Sequence, residues 1–265
     1  MIASTKNEQV KYVQNLVKKG KARREEDKYV VEGLRICREL DPEEICGLYV
    51  TDSFLNEFGT EGMGRLSRCH YQVVSDSVMK AMADTQTPQG ILAVVRQKHY
   101  RLEEILSGNP ACLMILETIQ DPGNLGTILR AGEGAGVTGI IMDKNTVDIY
   151  NPKVIRSTMG SVFRMPFVYA EDFHGTLRKI KEEGIRLFAA HLEGKRAYDQ
   201  EDFTKDCGFM IGNEANGLKD ETAALADAYI RIPMLGKVES LNAAVAASVL
   251  MFEAARQRRN QQNRL

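Results

Sequence analysis

A chain of 265 residues, 43% of them hydrophobic, has material for ordinary packed cores and is long for a single one, so two domains of unequal size are expected. No apolar run approaches the roughly 18 residues of a membrane helix, and the start, Met1-Ile2-Ala3-Ser4-Thr5-Lys6, lacks the apolar core of a secretory signal; together these predict a soluble cytoplasmic protein. The formal net charge of -1 is silent about nucleic acid, because a global count hides local clusters.

Thr5-Lys6-Asn7-Glu8 fits a capping box and is followed by Val10, Val13, Leu16 and Val17 at helical spacing, so the chain opens with an amphipathic helix. This stretch is basic, with Lys11, Lys18, Lys19, Lys21, Arg23, Arg24 and Lys28, and a second basic group, Arg256, Arg258, Arg259 and Arg264, lies at the tail. Local positive charge suits phosphate contacts, and solvated helix faces are the equal alternative. Lys28-Tyr29-Val30-Val31 reads as a strand, residues 33–40 as a helix, and residues 47–50, 71–74 and 90–95 as further strands, which predicts a small α/β domain with a mixed or parallel sheet. Residues 96–110 are polar and close on Ser107-Gly108-Asn109-Pro110, a boundary that divides the chain into domains at 1–106 and 107–265.

Beyond the boundary the pattern restarts. Cys112-Leu113-Met114-Ile115-Leu116 is a continuous apolar run of strand length, and residues 139–142, 167–169, 187–190, 208–211 and 229–232 repeat the type. Helical stretches fall between them at 125–134, 152–160, 173–183 and 219–226, and a final helix spans 241–257. This alternation predicts a parallel sheet covered on both faces, with ligands beyond the carboxyl ends of its strands. Three polar clusters follow strands: Asp121-Pro122-Gly123-Asn124 with Arg130, Gly212-Asn213-Glu214, and Glu239-Ser240-Leu241-Asn242. Helix starts carry unpaired N–H groups and partial positive charge, so polar side chains there can grip an anion or a reacting group.

Two nucleotide motifs are near misses. Gly132-Glu133-Gly134-Ala135-Gly136-Val137 has Val at the third glycine of a dinucleotide loop and lies at a helix end; Gly212 to Lys219 has an extra residue and an internal acid where a phosphate loop has neither. The five cysteines have no C-x-x-C spacing and the chain has only four histidines, which argues against a disulfide framework and a zinc site. Each polar residue also has a plain structural reading. Asn124 suits the N-cap of its helix, Ser240 the cap of the final helix, and Arg130 a surface pair with Glu133 or Glu214. Asn242, read as lying inside the final helix, calls for a hydrogen-bonding role because Asn is a poor mid-helix residue.

Asn124-Leu125-Gly126-Thr127-Ile128-Leu129-Arg130, Ile211-Gly212-Asn213-Glu214-Ala215-Asn216-Gly217-Leu218 and Ile232-Pro233-Met234-Leu235-Gly236-Lys237-Val238-Glu239-Ser240-Leu241-Asn242 resemble, in order and spacing, the three motifs of the SpoU/TrmH family of RNA ribose 2′-O-methyltransferases. The resemblance spans the whole second domain. Residues 28–33 and Thr87-Pro88-Gln89-Gly90-Ile91 more weakly resemble the substrate-binding domain often attached to these enzymes, similar in fold to ribosomal protein L30e. The resemblance implies a SPOUT-type α/β fold whose parallel sheet ends in a C-terminal trefoil knot, preceded by a small L30e-like domain. It also implies S-adenosylmethionine as cofactor, no metal, and a homodimer through the second domain that completes each active site. Gly212, Ile232 and Leu241 would contact the cofactor, and Asn124, Arg130, Glu214, Ser240 and Asn242 would serve catalysis or substrate placement. An arginine stays protonated, so Arg130 suits phosphate anchoring and stabilisation of a developing alkoxide better than proton abstraction. Ala131-Gly132 departs from the hydroxyl residue and alanine that many relatives carry after this arginine. The implied activity is ribose 2′-O-methylation of structured RNA, ribosomal RNA ahead of tRNA, with a non-catalytic RNA-binding protein as the rival; the combination of Arg130, Glu214, Ser240 and Asn242 favours the enzyme.

Overall fold

Strand-forming runs fall in two sets, and each set builds its own sheet. The computed structural model describes residues 1–262, so Arg264 of the basic tail lies outside the described residues. Contacts divide the chain into a first unit, Met1–Lys98 with Asp148–Phe163, and a second, His99–Val147 with the chain from Arg164 onward.

The first unit holds a four-stranded mixed sheet in the order β1-β4-β2-β3, with β1 Lys28–Glu32, β2 Ile45–Thr51, β3 Gln72–Val74 and β4 Ile91–Arg96. β4 runs antiparallel to β1 and β2, and β2 runs parallel to β3. The helix Glu8–Lys18 presses Val10, Val13, Leu16 and Val17 onto Val30, Leu92 and Val94, as its periodicity requires. Its cap is Asn7, whose Oδ1 accepts from Gln9 N at 2.8 Å, and not the Thr5 of the expected capping box; Glu8 pairs instead with Lys11. Asp52–Phe58 and Asp76–Met82 are helices that the sequence reading passed over, although Thr51 and Ser75 cap them in the ordinary way.

A helix Gly20–Glu26 lies where the reading saw only positive charge, and Arg23 on it is buried. Its guanidinium donates to Asp148 Oδ2 at 2.8 Å and to the carbonyls of Leu16 and Val17 at 2.7 and 3.1 Å, so it caps a helix end and contributes nothing to a basic surface. The segment Asp148–Phe163, which lies within the sequence range read as the second domain, packs in the first unit for related reasons: Asp148 holds Arg23, Tyr150 packs against the Tyr29 ring at 4.4 Å, and Arg156 pairs with Asp84.

The second unit is a seven-stranded sheet. In chain order its strands are β5 Cys112–Leu116, β6 Gly139–Asp143, β7 Phe167–Ala170, β8 Arg186–Ala190, β9 Arg196–Ala197, β10 Cys207–Ile211 and β11 Ala228–Arg231. Every pairing is parallel, as the apolar runs predict. Only the two-residue edge strand β9 escaped the reading. The spatial order is β7-β6-β5-β10-β8-β11-β9, so the chain leaves β5 toward one edge and later returns to lay β10 beside it. In an open parallel sheet of this kind ligands bind beyond the carboxyl ends of the strands.

Residues 219–226 keep helical form only over Asp220–Ala223, because Asp227 already exchanges hydrogen bonds with Leu187 at the sheet. The final helix, Ala243–Gln262, starts later and runs further than expected. It packs on the helix Pro122–Ala135, where Gly132 lies beneath Met251 and Gly136 ends the helix at φ 78°; the apparent dinucleotide glycines are packing and capping residues. Of the tail arginines, Arg256 pairs with Glu253, and Arg258 donates to the carbonyls of Phe203, Pro110, Ala111 and Lys205. Among the described residues no helix is long and apolar enough to cross a membrane. Because Arg23 satisfies a carboxylate and two carbonyls at once, Arg23→Ala should cost about 3 kcal/mol of stability, read as a lower urea midpoint by circular dichroism.

Candidate active site

Thr118, just after β5, has φ 57°, a left-handed conformation that a β-branched residue adopts only under constraint. The constraint is Asp143 at the end of β6, whose two oxygens accept from Thr118 N and Thr118 Oγ1, each at 2.8 Å. Burial alone would raise the Asp143 carboxyl, but hydrogen bonds from Thr118, Thr146 and Asn145 outweigh it and hold the group below the usual range. The twisted Thr118 offers its carbonyl to Asn213 Nδ2 at 2.9 Å, tying the loop after β5 to the loop after β10.

Asn213 and Gly217 close that second loop with paired N–H to carbonyl bonds of 3.0 and 2.9 Å, while Asn213 Oδ1 accepts from Ala215 N and Asn216 N. A Cβ on Gly212 would stand 2.1 Å from the backbone of Gly217 and Leu218, so only glycine allows the loop to fold back this closely.

The three polar clusters meet. Glu214 Oε1 accepts from Asn124 Nδ2 at 2.9 Å and from Asp121 N at 3.3 Å, and Oε2 accepts from Gln120 N at 3.4 Å. Asn124 Oδ1 accepts from Asn242 Nδ2 at 2.9 Å, and Asn242 Oδ1 accepts from Ala244 N and Val245 N. Two capping assignments from sequence are therefore corrected. Asp121, not Asn124, caps the helix Pro122–Ala135, because Pro122 fixes the first helical position and leaves the Asn124 side chain free to bridge. Asn242, not Ser240, caps the final helix, which begins one residue later.

A cavity of about 570 Å³ opens at the carboxyl ends of β8, β10 and β11. Gly212, Glu214, Ile232, Ser240 and Leu241 line it, so one catalytic-cluster acid, one hydroxyl and all three expected cofactor residues share a wall. Asn124 and Asn242 stand behind that wall and reach it through Glu214. Arg130 is not on the cavity. It is exposed, its side chain makes no hydrogen bond or ion pair among the described residues, and it lies roughly 9 Å along its helix from Asn124. The surface pair read from sequence does not form, because Glu133 pairs with Arg164 and Glu214 with Asn124. His191 and Met234 also line the cavity; His191 gave no signal in sequence, as a single histidine after an apolar run fits any strand end.

Residues 111–252 match the model of the SpoU rRNA Methylase family. The chain belongs to that family. Residues 7–93 match the MRM3-like substrate binding domain. Over 254 residues the chain is 29% identical to the 23S rRNA (guanosine(2553)-2′-O)-methyltransferase RlmP of Bacillus subtilis, covering 95% of this chain and 97% of that one. It is 30% identical to the 23S rRNA (guanosine-2′-O-)-methyltransferase RlmB of Bordetella pertussis, over 82% of this chain and 91% of the relative. Among solved structures, the AdoMet-bound rRNA methyltransferase of Sinorhizobium meliloti superposes with a TM-score of 0.83 at 32% identity, covering 96% and 97% of the two chains.

In this SpoU-family site the Glu214 carboxyl is raised by burial, yet hydrogen bonds from Asn124 and from the backbone of Glu214, Asp121 and Gln120 prevail and bring it below its ordinary value. A carboxyl lowered on folding contributes stability above its unfolded value and loses it as pH falls through the folded one. Asn124→Ala should therefore move the Glu214 titration upward in carboxyl carbon NMR. The loss of Tm on acidification that this group contributes should become shallower; Glu214 is largely exposed, so the Tm change is small.

Proposed function

We propose that this SpoU-family chain transfers a methyl group from S-adenosylmethionine to a ribose 2′-hydroxyl of ribosomal RNA. The observation that carries the reading is the hydrogen-bonded meeting of the three motifs, Asn242 to Asn124 to Glu214, behind a single cavity at the carboxyl ends of β8, β10 and β11. The fit to the cofactor is physical. The cavity has the volume of a cofactor site, its walls at Ile232, Met234 and Leu241 are apolar enough for an adenine, and Glu214 and Glu239 supply carboxylates, suited to a ligand carrying positive charge. The bound cofactor supplies an electrophilic sulfonium methyl. The turn Gly212 to Gly217 brings backbone groups to the cavity, Ser240 presents a hydroxyl with no partner among the described residues, and Asn124 and Asn242 hold Glu214 in place.

Arg130 is the group for the RNA. Its guanidinium is exposed and unpaired among the described residues, and an arginine carries a permanent charge, so it suits a phosphate beside the target ribose and the negative charge that develops on the oxygen under attack. It stands off this chain's own cavity, and that favours a homodimer in which Arg130 of one protomer serves the cavity of the other. Val245 and Phe252 on the final helix, 48% and 51% exposed, give the second unit an apolar face for such pairing. In this reading the second unit carries the trefoil-knotted SPOUT arrangement. Its support is the late strand β10 lying between β5 and β8, and the close return of residues 239–246 to the cavity. The first unit is assigned as an L30e-like domain that recognises the RNA, and the protein as cytoplasmic, where ribosomal RNA is modified.

The test is a map of 2′-O-methylation in total ribosomal RNA from cells with the chain, without it, and with Arg130→Ala. We expect one ribose methyl to vanish on deletion and to fall by about a hundredfold in initial rate with the variant, while S-adenosylmethionine binding by the variant persists. An unchanged ribosomal RNA map on deletion would sink the reading.

A further inference from the structure

Glu117, the residue at which β5 leaves the sheet, is 3% exposed, does not line the cavity, and has no part in the chemistry above. Its side chain is nevertheless fully engaged. Oε2 accepts from Lys219 N at 2.9 Å, and Oε1 accepts from Thr222 Oγ1 at 2.6 Å. Thr222 Oγ1 lies 2.9 Å from His174 Nε2, and since its own hydrogen is given to Glu117, the imidazole nitrogen is the donor there.

The backbone around Glu117 makes the same connection from the other end. Glu117 N donates to Ile211 O at 2.9 Å, and Thr118 O accepts from Asn213 Nδ2 at 2.9 Å. Residues 117 and 118 thus hold the 211–219 segment at its entry, at Asn213 and at its exit. Everything between those anchors, from Ile211 through Leu218, lines the cavity. Lys219 begins the short helix Asp220–Ala223 with no side-chain cap of its own, so the Glu117 carboxylate supplies the missing acceptor from a distant part of the chain. Burying a carboxylate is a poor route to stability, since apolar groups of the same size hold a core as well or better; what it provides is a fixed location for two donors.

We propose that Glu117 is a positioning residue for the cofactor, fixing through Lys219 N–H and Thr222 the wall of the cavity formed by residues 211–218. The proposal rests on the S-adenosylmethionine reading of that cavity and deepens it. Removing an acceptor from two buried donors lets the exit of the loop drift, and the wall ceases to match its ligand.

The experiment is titration calorimetry of S-adenosylmethionine against the full chain, with Tm recorded for each protein. Glu117→Gln and the near-isosteric Thr222→Val are each expected to weaken binding by roughly tenfold. Glu201→Gln is the control: it removes another buried carboxylate, paired with Arg186 and Arg196 away from the cavity, and should lower Tm while leaving affinity within about twofold. A purely structural Glu117 would lower Tm as Glu201→Gln does and leave the affinity of the folded protein unchanged; that result overturns the proposal. Thr222→Val leaves the Lys219 bond intact and decides the matter if Glu117→Gln fails to fold. Failure of the unaltered chain to take up S-adenosylmethionine would instead overturn the cofactor reading, and the proposal with it.

Discussion

The loops after β5 and β10 must satisfy one another, and the site depends on their doing so. Parallel strands end with backbone groups pointing past the sheet, and neighbouring loops at that edge have little apolar surface to bury. Here the solution is mutual: Ile211 O takes the Glu117 N–H, Thr118 O takes the Asn213 amide, and Glu214 takes the N–H groups of Gln120 and Asp121. Since β5 and β10 are neighbours only because the chain doubles back to insert β10, this interlock joins segments more than 90 residues apart in sequence.

Carboxylates do the decisive holding. A neutral hydrogen bond is worth about 1 kcal/mol net and one to an ionised group roughly twice that. Asp143 keeps Thr118 in a conformation it would otherwise leave, and Glu214 gathers Asn124 and two backbone donors. The glycines answer a different need, the tight return at Gly212 and the left-handed turn at Gly217, φ 69°.

The parallel sheet was legible because buried strands leave uninterrupted apolar runs, and polar residues placed after those runs pointed to the candidate site. Caps were less legible. Thr5, Asn7, Asp121, Asn124, Ser240 and Asn242 are all good capping types, and which one caps depends on where the first turn begins, a matter of tertiary packing that propensity does not see. The burial of Arg23 was invisible for a similar reason: its partner Asp148 is 125 residues away, so the charge looked free. Glu117 left no trace either, since an acid after an apolar run is ordinary and its donors, Lys219 N and Thr222, become neighbours only in the folded sheet.

The link from Asn242 through Asn124 to Glu214 can be traversed in one sense only. At one end the final helix presents N–H groups, which demand an oxygen from Asn242; at the other the carboxylate can accept but has no hydrogen to give. Both amides are thereby polarised, with no second arrangement of oxygen and nitrogen that keeps every bond. An aspartate at position 242 would cap the helix equally well yet turn oxygen toward oxygen at Asn124. The motif thus discriminates between side chains of nearly identical shape by the handedness of their hydrogen bonding alone.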